Sequence, residues 1–153
     1  MGRGWVAMPS TGARQDPVLA FRFEVALDNM AVAGFSECSG LQLETEFQDY
    51  AEGGVNDFLR KFPGRSKQTN ITLKRGIVDR TMWDWYDQLR AGNVQYRNGS
   101  ISVRDPSGED VLLEWHFQNA LPCKWIGPDL NAGQSAVAVE VLELCHQGLV
   151  RQQ

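Results

Sequence analysis

Short segments of alternating apolar and polar residues constrain the fold of this chain more than any other feature. Apolar residues occupy every second position over 19–28, and a similar alternation returns over 41–50 and 68–74. Successive side chains of a β-strand point to opposite faces, so this period predicts strands with one buried and one wet face. Three more segments are strand-like, at 100–104, 111–118 and 136–145.

The period changes once, and there it predicts a short helix. Asp79 is a good N-cap, apolar residues recur at helical spacing from residue 82 to residue 89, and Gly92 supplies a C-terminal stop. About six strands and one helix predict a mainly β (α+β) fold. We expect a small antiparallel β-barrel or sandwich with the helix packed over one side or end. Several strands have a continuous polar face, which suits either a sheet lining an aqueous space or an ordinary outer sheet.

Residues 51–66 are predicted to form a long loop between the strands at 41–50 and 68–74, which would pair as a hairpin. They contain Gly53-Gly54, Pro63-Gly64 and mixed charges. A structureless loop of this length is uncommon in a compact domain unless it has a function. A slip in the alternation near Val141 predicts a β-bulge in the last strand.

The length of 153 residues, with 42% hydrophobic residues, fits one domain. We expect a flexible N-terminal arm over residues 1–15 and a single domain over residues 16–150. The arm does not have the pattern of a secretory signal. Three cysteines without close spacing favour a reducing compartment over a disulfide framework, which suggests synthesis in the cytoplasm.

The net charge of −4 and pI near 5.1 argue against general nucleic-acid binding. The charges are unevenly distributed, however. Residues 37–57 contain six acids and no base, and residues 58–75 contain six bases and no acid. Opposite charges on adjoining segments favour a head-to-tail contact between copies, although a solvated loop that balances its own charges has the same pattern.

No intact catalytic or metal-binding motif is present. Ser36 lies in a segment that begins like a nucleophile elbow but lacks its last glycine. His116 and His146 lie in separate predicted strands and are expected to be half-exposed, and the cysteines lack the close ligand spacing of a zinc site. We therefore expect no enzymatic activity, no metal and no cofactor.

Several blocks of the sequence, in order, resemble one family. They are Phe21-Arg22-Phe23-Glu24-Val25, Val32-Ala33-Gly34-Phe35-Ser36-Glu37-Cys38-Ser39-Gly40-Leu41, Tyr50-Ala51-Glu52-Gly53-Gly54, Arg60-Lys61-Phe62-Pro63-Gly64-Arg65, Asn70-Ile71-Thr72-Leu73-Lys74-Arg75-Gly76 and Trp83-Asp84-Trp85. Together they resemble the inner tube proteins of contractile phage tails and contractile injection systems. The resemblance implies a phage tail-tube fold, related to the Hcp protein of type VI secretion.

The same resemblance implies a structural function. Family members form hexameric rings that stack into a hollow tube inside a contractile sheath. The implied partners are further copies of the chain, the sheath protein, the baseplate, tube-terminating proteins and a possible cargo in the lumen, either a protein effector or DNA. The implied location is a phage tail or tail-like particle, assembled in the bacterial cytoplasm, and we expect no membrane binding by this chain alone. Two alternatives remain: a tube initiator at the baseplate, and a monomeric ligand-binding β-barrel.

The resemblance and the wet strand faces together indicate two sets of candidate residues. We expect the lumen to be lined by Gln42, Glu44, Glu46, Gln48, Gln68, Asn70, Thr72 and Lys74. We expect contacts between subunits or stacked rings from Glu52, Gly53, Gly54, Arg60, Lys61, Arg65 and Lys67.

Overall fold

A computed structural model describes residues 16–19, 22–30, 34–50 and 60–153. These ranges contain nine strands and one helix. In chain order the elements are β1 (Phe23–Leu27), β2 (Phe35–Ser39), β3 (Leu43–Tyr50), β4 (Arg60–Gln68), β5 (Ile71–Gly76), α1 (Thr81–Arg90), β6 (Arg97–Arg104), β7 (Val111–Ile126), β8 (Val139–Cys145) and β9 (Gly148–Arg151).

The main sheet is antiparallel and is organised around the long strand β7. Its strand order is β1-β6-β7-β8-β5-β2, and β9 also pairs with β7. Residues 111–120 of β7 pair with β6, and residues 115–118 pair with β9. Residues 121–126 pair with β8. The change of partner follows Ala120 and lies beside Asn119, which has a left-handed φ of 51° and donates its backbone N–H to Asn98 Oδ1 (3.0 Å).

The core lies between the two halves of this sheet. β1, β6 and the first half of β7 contribute Val25, Leu27, Ile101 and Phe117, all at most 6% exposed. β5 and β8 contribute the fully buried residues Ile71, Leu73, Leu142 and Leu144. Gly99 on β6 allows this packing, because a Cβ at that position would collide with the ring of Phe117 and the carbonyl of Ala26.

The helix α1 covers the core through Met82 and Trp85, which are 0% and 3% exposed. Its start is fixed by Asp79, whose Oδ1 accepts a hydrogen bond from the Thr81 backbone N–H (3.0 Å). It ends at Arg90, and Gly92, two residues further on, takes a left-handed φ of 91°. Trp83 stacks edge-on against Trp125 of β7, with ring centroids 4.8 Å apart. The helix predicted from residue 79 to Gly92 is therefore confirmed, with Asp79 capping from one position further out.

The mainly antiparallel fold with one helix is confirmed, but three strands were not predicted. β2 and β9 are short, and β4 has no apolar alternation and is exposed on both faces. β3 alternates as predicted, but the expectation that one of its faces is buried is wrong for a single chain. The prediction of a loop over residues 51–66 is wrong from residue 60 onward, where β4 begins. The predicted pairing of the strands at 41–50 and 68–74 is also wrong, since β3 pairs with β4 and β5 lies between β2 and β8.

The bulge predicted near Val141, which lies on β8, is found instead on the neighbouring strand β7. β8 keeps a regular register with β5 from Val139 to Leu144. The irregularity lies opposite, on β7, between Pro122 and Lys124. An extra residue on either strand shifts the register of the pair. The break in alternation near Val141 therefore did not indicate which of the two strands carried the bulge.

Within residues 16–19, 22–30, 34–50 and 60–153, no helix is long and apolar enough to cross a membrane.

Candidate assembly surfaces

The hairpin formed by β3 and β4 is a separate two-stranded sheet. Every residue of β3 is exposed, and so is every residue of β4 except Gln68. At its base, the Gln42 carbonyl accepts a hydrogen bond from the Thr69 backbone N–H (3.3 Å), and Gln68 Nε2 donates to the His146 carbonyl (2.9 Å). An isolated hairpin is marginally stable in water, so an element of this kind needs a covering surface.

One face of the hairpin is partly apolar. The register pairs Leu43 with Gln68, Thr45 with Ser66 and Phe47 with Pro63. Leu43 and Phe47 are 59% and 58% exposed. Exposed apolar side chains that share one face of an unsupported sheet indicate a surface for another protein.

The opposite face holds acids, bases and an aromatic pair. Tyr50 and Phe62 pack edge-on, with ring centroids 5.7 Å apart. Lys67 Nζ lies 2.9 Å from Glu46 Oε1, and this hydrogen bond, with the charges of Glu46 and Glu44, raises the pKa of Lys67. On the apolar face, Lys61 Nζ lies 3.1 Å from Asp49 Oδ1.

These two ion pairs change the interpretation of the charge pattern. Acids of β3 and bases of β4 neutralise each other across the hairpin, instead of remaining open to a second copy. Exposed ion pairs contribute little free energy to folding. The apolar face is therefore the stronger reason to assign the hairpin to a contact between copies.

A second surface is the wet face of the half-sheet β2-β5-β8-β7. On β5, Ile71, Leu73 and Arg75 point to the core, and the intervening side chains point outward. Outward-facing Asn70 donates Nδ2 to Glu143 Oε1 (2.9 Å), and Lys74 Nζ lies 4.0 Å from Glu37 Oε2. Neighbouring positions across the strands also face outward: Ser39, Thr72, Lys124, Ile126 and Val141. The face therefore carries acids and bases together with the apolar side chains of Ile126 and Val141.

The predicted lumen residues lie in two different sheets. Asn70, Thr72 and Lys74 lie on the wet face of the half-sheet. Glu44, Glu46 and Gln48 lie on the charged face of the hairpin, and Gln68 lies on its opposite face. Gln42 lies at the base of the hairpin.

Of the predicted contact residues, four lie together on β4: Arg60, Lys61, Arg65 and Lys67. Glu52, Gly53 and Gly54 lie outside the described residues.

The half-sheet has two strand edges at which another chain could pair. Among the described strands, β2 pairs only with β5, and residues 121–126 of β7 pair only with β8. The sequence did not indicate these edges, because the order of strands in a sheet depends on pairings between distant segments. Free edges are a template for pairing with another chain.

A buried charged cluster ties the half-sheet to the helix. Arg75, 1% exposed, donates Nε to Glu140 Oε1 (3.0 Å) and a terminal nitrogen to Asp79 Oδ1 (2.7 Å). Trp125 Nε1 donates to Glu140 Oε2 (3.0 Å). The Thr81 N–H and the Arg75 guanidinium lower the pKa of Asp79. A buried charge is stable only when it is paired in this way, which makes the cluster structural.

The two histidines are not arranged for catalysis or metal binding with each other. His146 is 9% exposed and its ring nitrogens face the carbonyls of Thr69 (3.1 Å) and Gly148 (3.2 Å), so the expectation that it is half-exposed is wrong. His116 lies on the surface, 3.2 Å from Glu114. In the described part of the chain, no three histidine, cysteine or carboxylate side chains are grouped to hold a metal ion.

A model of the family described as T4-like virus tail tube protein gp19 matches residues 19–150. The chain belongs to this tail tube protein family. None of the curated protein sequences compared matches this chain.

Solved structures agree with this tail tube membership. The chain is similar to one in the extracellular contractile injection system "PVC sheath-tube complex in extended state", with 26% identity, TM-score 0.81, and coverage of 95% of this chain and 96% of that one. It is similar to one in the "anti-feeding prophage cap (AFP tube terminating cap)", with 29% identity, TM-score 0.82, and coverage of 92% and 93%. Hcp1 from Flavobacterium johnsoniae has the same fold, with 13% identity, TM-score 0.59, and coverage of 86% and 94%.

Proposed function

We propose that this tail tube protein is the repeating inner tube subunit of a contractile injection particle or contractile phage tail. Six copies would form a ring, and rings would stack into a hollow tube inside a sheath. The observation that carries this proposal is the hairpin β3–β4, which is exposed on both faces in one chain and belongs to a protein of the tail tube family. A second copy of the chain supplies the surface that one copy lacks.

Ring closure is supported by the two strand edges of the half-sheet. β2 of one copy would pair with residues 121–126 of its neighbour, two segments of similar length. Such pairing is heterologous and satisfies the open hydrogen-bonding groups of both edges. Repeated around a ring, it joins the half-sheets into a continuous barrel.

The lumen wall in this arrangement is the wet face of the half-sheet. We assign Asn70, Thr72 and Lys74 to it, next to Glu37 and Glu143. Ion pairing within this face, such as Lys74 with Glu37, keeps the wall polar and without a large field of one sign. A wall of this kind adheres weakly to a passing protein effector or nucleic acid.

The hairpin would form the contact between stacked rings. Its apolar face, with Leu43 and Phe47, would be buried against the next ring. We therefore place Glu44, Glu46 and Gln48 at this contact and no longer at the lumen, together with Arg60, Lys61, Arg65, Lys67 and the adjoining Glu52, Gly53 and Gly54.

The partners follow from the same arrangement. Sheath, tube-terminating and baseplate proteins are supported by the similar chains in structures described as a sheath-tube complex, a tube terminating cap and a baseplate. We propose a structural, non-enzymatic function and assembly in the bacterial cytoplasm.

Electron microscopy of the purified protein across a concentration series tests the proposal. We expect rings or stacked tubes with an open centre. Phe47→Ser should shorten or abolish tubes while leaving rings, and Val150→Ser, which removes an apolar side chain of similar exposure (52%) from β9, should leave tubes intact. Tubes of normal length from Phe47→Ser would contradict the assignment of the hairpin.

The initiator alternative has one supporting observation, a similar chain in a structure of the anti-feeding prophage baseplate, with 25% identity and TM-score 0.78. An initiator would form single rings or short stacks at every concentration, whereas a repeating subunit would form longer tubes as the concentration rises. Tube length in the same experiment separates the two.

A further inference from the structure

Cys123 and Cys145 lie on neighbouring strands and share one face of the sheet. The register pairs Leu121 with Cys145 and Lys124 with Glu143, and Cys123 falls in the bulge of β7 between these pairs. A bulge turns an additional side chain toward the same face. Cys123 therefore points to the wet face, on which Cys145 also lies. The two residues are diagonal neighbours across the strands, since Cys145 pairs with Leu121, two residues before Cys123.

The contacts of the two sulfurs show that each thiol reaches across the gap between the strands. Cys123 Sγ, on β7, donates to the Glu143 carbonyl of β8 (3.3 Å). Cys145 Sγ, on β8, donates to the Leu121 carbonyl of β7 (3.6 Å). The two side chains thus approach each other from opposite strands, and both thiols are free in this structure.

The surroundings of Cys123 favour its protonated form and leave it accessible. Burial raises the pKa of the Cys123 thiol, and Cys145 and Glu143, which face it from β8, raise it further. Cys123 is nevertheless exposed, and Asn70 Nδ2 approaches its sulfur at 3.5 Å. The thiolate is the reactive form of cysteine, so a raised pKa slows attack on a disulfide at neutral pH without preventing it.

The remaining cysteine provides an internal comparison. Cys38 lies on β2, pairs in register with Leu73, and packs against the core. Burial raises the pKa of Cys38 to about 11. Cys38 is therefore expected to react much more slowly than Cys123 under the same conditions.

We propose that Cys123 and Cys145 are a dithiol site that closes to an intrachain disulfide when the protein meets a small-molecule disulfide such as oxidised glutathione. The exposed Cys123 loses its proton and attacks one glutathione sulfur. The glutathione S–S bond breaks, and the released glutathione thiolate takes up a proton. Cys145 then loses its proton and attacks the sulfur of Cys123 in the mixed disulfide, releasing the second glutathione. Two protein thiols are oxidised, and one glutathione disulfide is reduced to two thiols.

The bond would staple the free-edge half of β7 to β8. It would also close the segment 127–138, which connects these strands and contains the exposed side chains of Leu130 and Val137 (86% and 79%). A crosslink that closes a chain segment restricts the unfolded state more than the folded one. The oxidised protein should therefore unfold at a higher temperature, and a reducing agent should reverse the change.

The test treats the full-length protein with oxidised glutathione at pH 8 and measures its intact mass, its free thiols and its crosslinked peptides. We expect a loss of two hydrogen atoms per chain, a peptide pair joined through Cys123 and Cys145, and one remaining thiol at Cys38. Cys38→Ser should form the same bond. Cys145→Ser should instead accumulate a stable glutathione adduct on Cys123, because the resolving thiol is missing.

Two results would overturn the proposal. One is a stable glutathione adduct on Cys123 in the unmodified protein, which would mean that Cys145 cannot reach it. The other is a disulfide between two chains as the main product, detected as a dimer on non-reducing gels.

Discussion

Arg75 occupies a position at which the alternation of β5 calls for an apolar residue. It follows Ile71 and Leu73 on the core face, and its guanidinium lies 5.8 Å from the centroid of the Phe35 ring. Its charge is compensated by Glu140 and Asp79. The sequence signal for this buried charge was that Arg75 falls in the same alternation as Ile71 and Leu73. Its partner Glu140 lies on another strand, so the sequence could not indicate how the charge was compensated.

Glu140→Gln should destabilise the protein strongly, because it leaves the buried Arg75 charge without its most buried partner. Removing one member of a buried pair costs about 3–5 kcal/mol. Glu143→Gln, the same change three residues along β8 on the wet face, should alter stability by less than about 0.5 kcal/mol. Urea unfolding of both variants measures the difference, and equal effects would mean that Arg75 is compensated by other groups.

The carboxylate of Asp79 should contribute a pH-dependent part of the stability. Its pKa in the folded protein is below the ordinary value of 3.8, so the unfolded chain binds the proton more readily. The contribution is present above pH 3.8 and is lost as the pH falls toward the lower, folded pKa. Asp79→Asn keeps a capping side chain and removes the charge. Its unfolding free energy should fall less steeply in this acidic range, and parallel curves for the two proteins would exclude the effect.

Among the elements, the hairpin β3–β4 behaves differently from the rest of the fold. Strands with one buried face were predictable, because burial imposes alternation: β1, β5, β6 and β8 all coincide with predicted segments. β3 alternates without a buried face in one chain, and β4 has neither a buried face nor an apolar alternation. The turn residues Pro63-Gly64 suggested a loop, yet Gly64 lies at the register shift opposite Glu46, where an irregular backbone is accommodated within the ladder.

The ion pair between Lys61 and Asp49 allows a test of whether Lys61 acts within the hairpin or at the contact with a neighbouring ring. Lys61→Glu should weaken tube stacking, and the charge swap Asp49→Lys with Lys61→Glu restores a pair inside the hairpin. If the swap restores tubes, Lys61 acts within the hairpin, as its 3.1 Å contact indicates. If tubes remain absent, Lys61 also contacts the neighbouring ring. Tube length in electron micrographs is the measurement for both variants.

At the scale of the whole molecule, the described residues form a packed body and the exposed hairpin β3–β4. The body has a core of fully buried residues from β5, β8 and α1, and the hairpin contributes none to it. The sequence predicted a packed body of strands and one helix, and it also indicated the family. The prediction that Asn70, Thr72 and Lys74 share one face also followed, since the alternation runs from Asn70 into β5. The separation of the hairpin did not, because it depends on which of two strands pairs with β3.

Hydrogen exchange should distinguish these two parts before and after assembly. In the monomer, backbone amides of β3 and β4 should exchange rapidly and those of β5 and β8 slowly, because local opening is easy where few contacts are buried. In assembled tubes, exchange in the hairpin should slow by at least about tenfold, the factor given by about 1.4 kcal/mol of added protection. Unchanged exchange in the hairpin on assembly would contradict its burial between rings.

The long strand β7 has a mechanical consequence. Its first half belongs to the sheet with β6 and β9, and its second half belongs to the half-sheet with β8. A force applied to one half is therefore transmitted to the other along a single covalent backbone, without crossing a side-chain interface that could slip. In a tube that is driven forward from its outer surface, every subunit would carry thrust inward through this one strand, and the wall would advance with the exterior as a rigid unit.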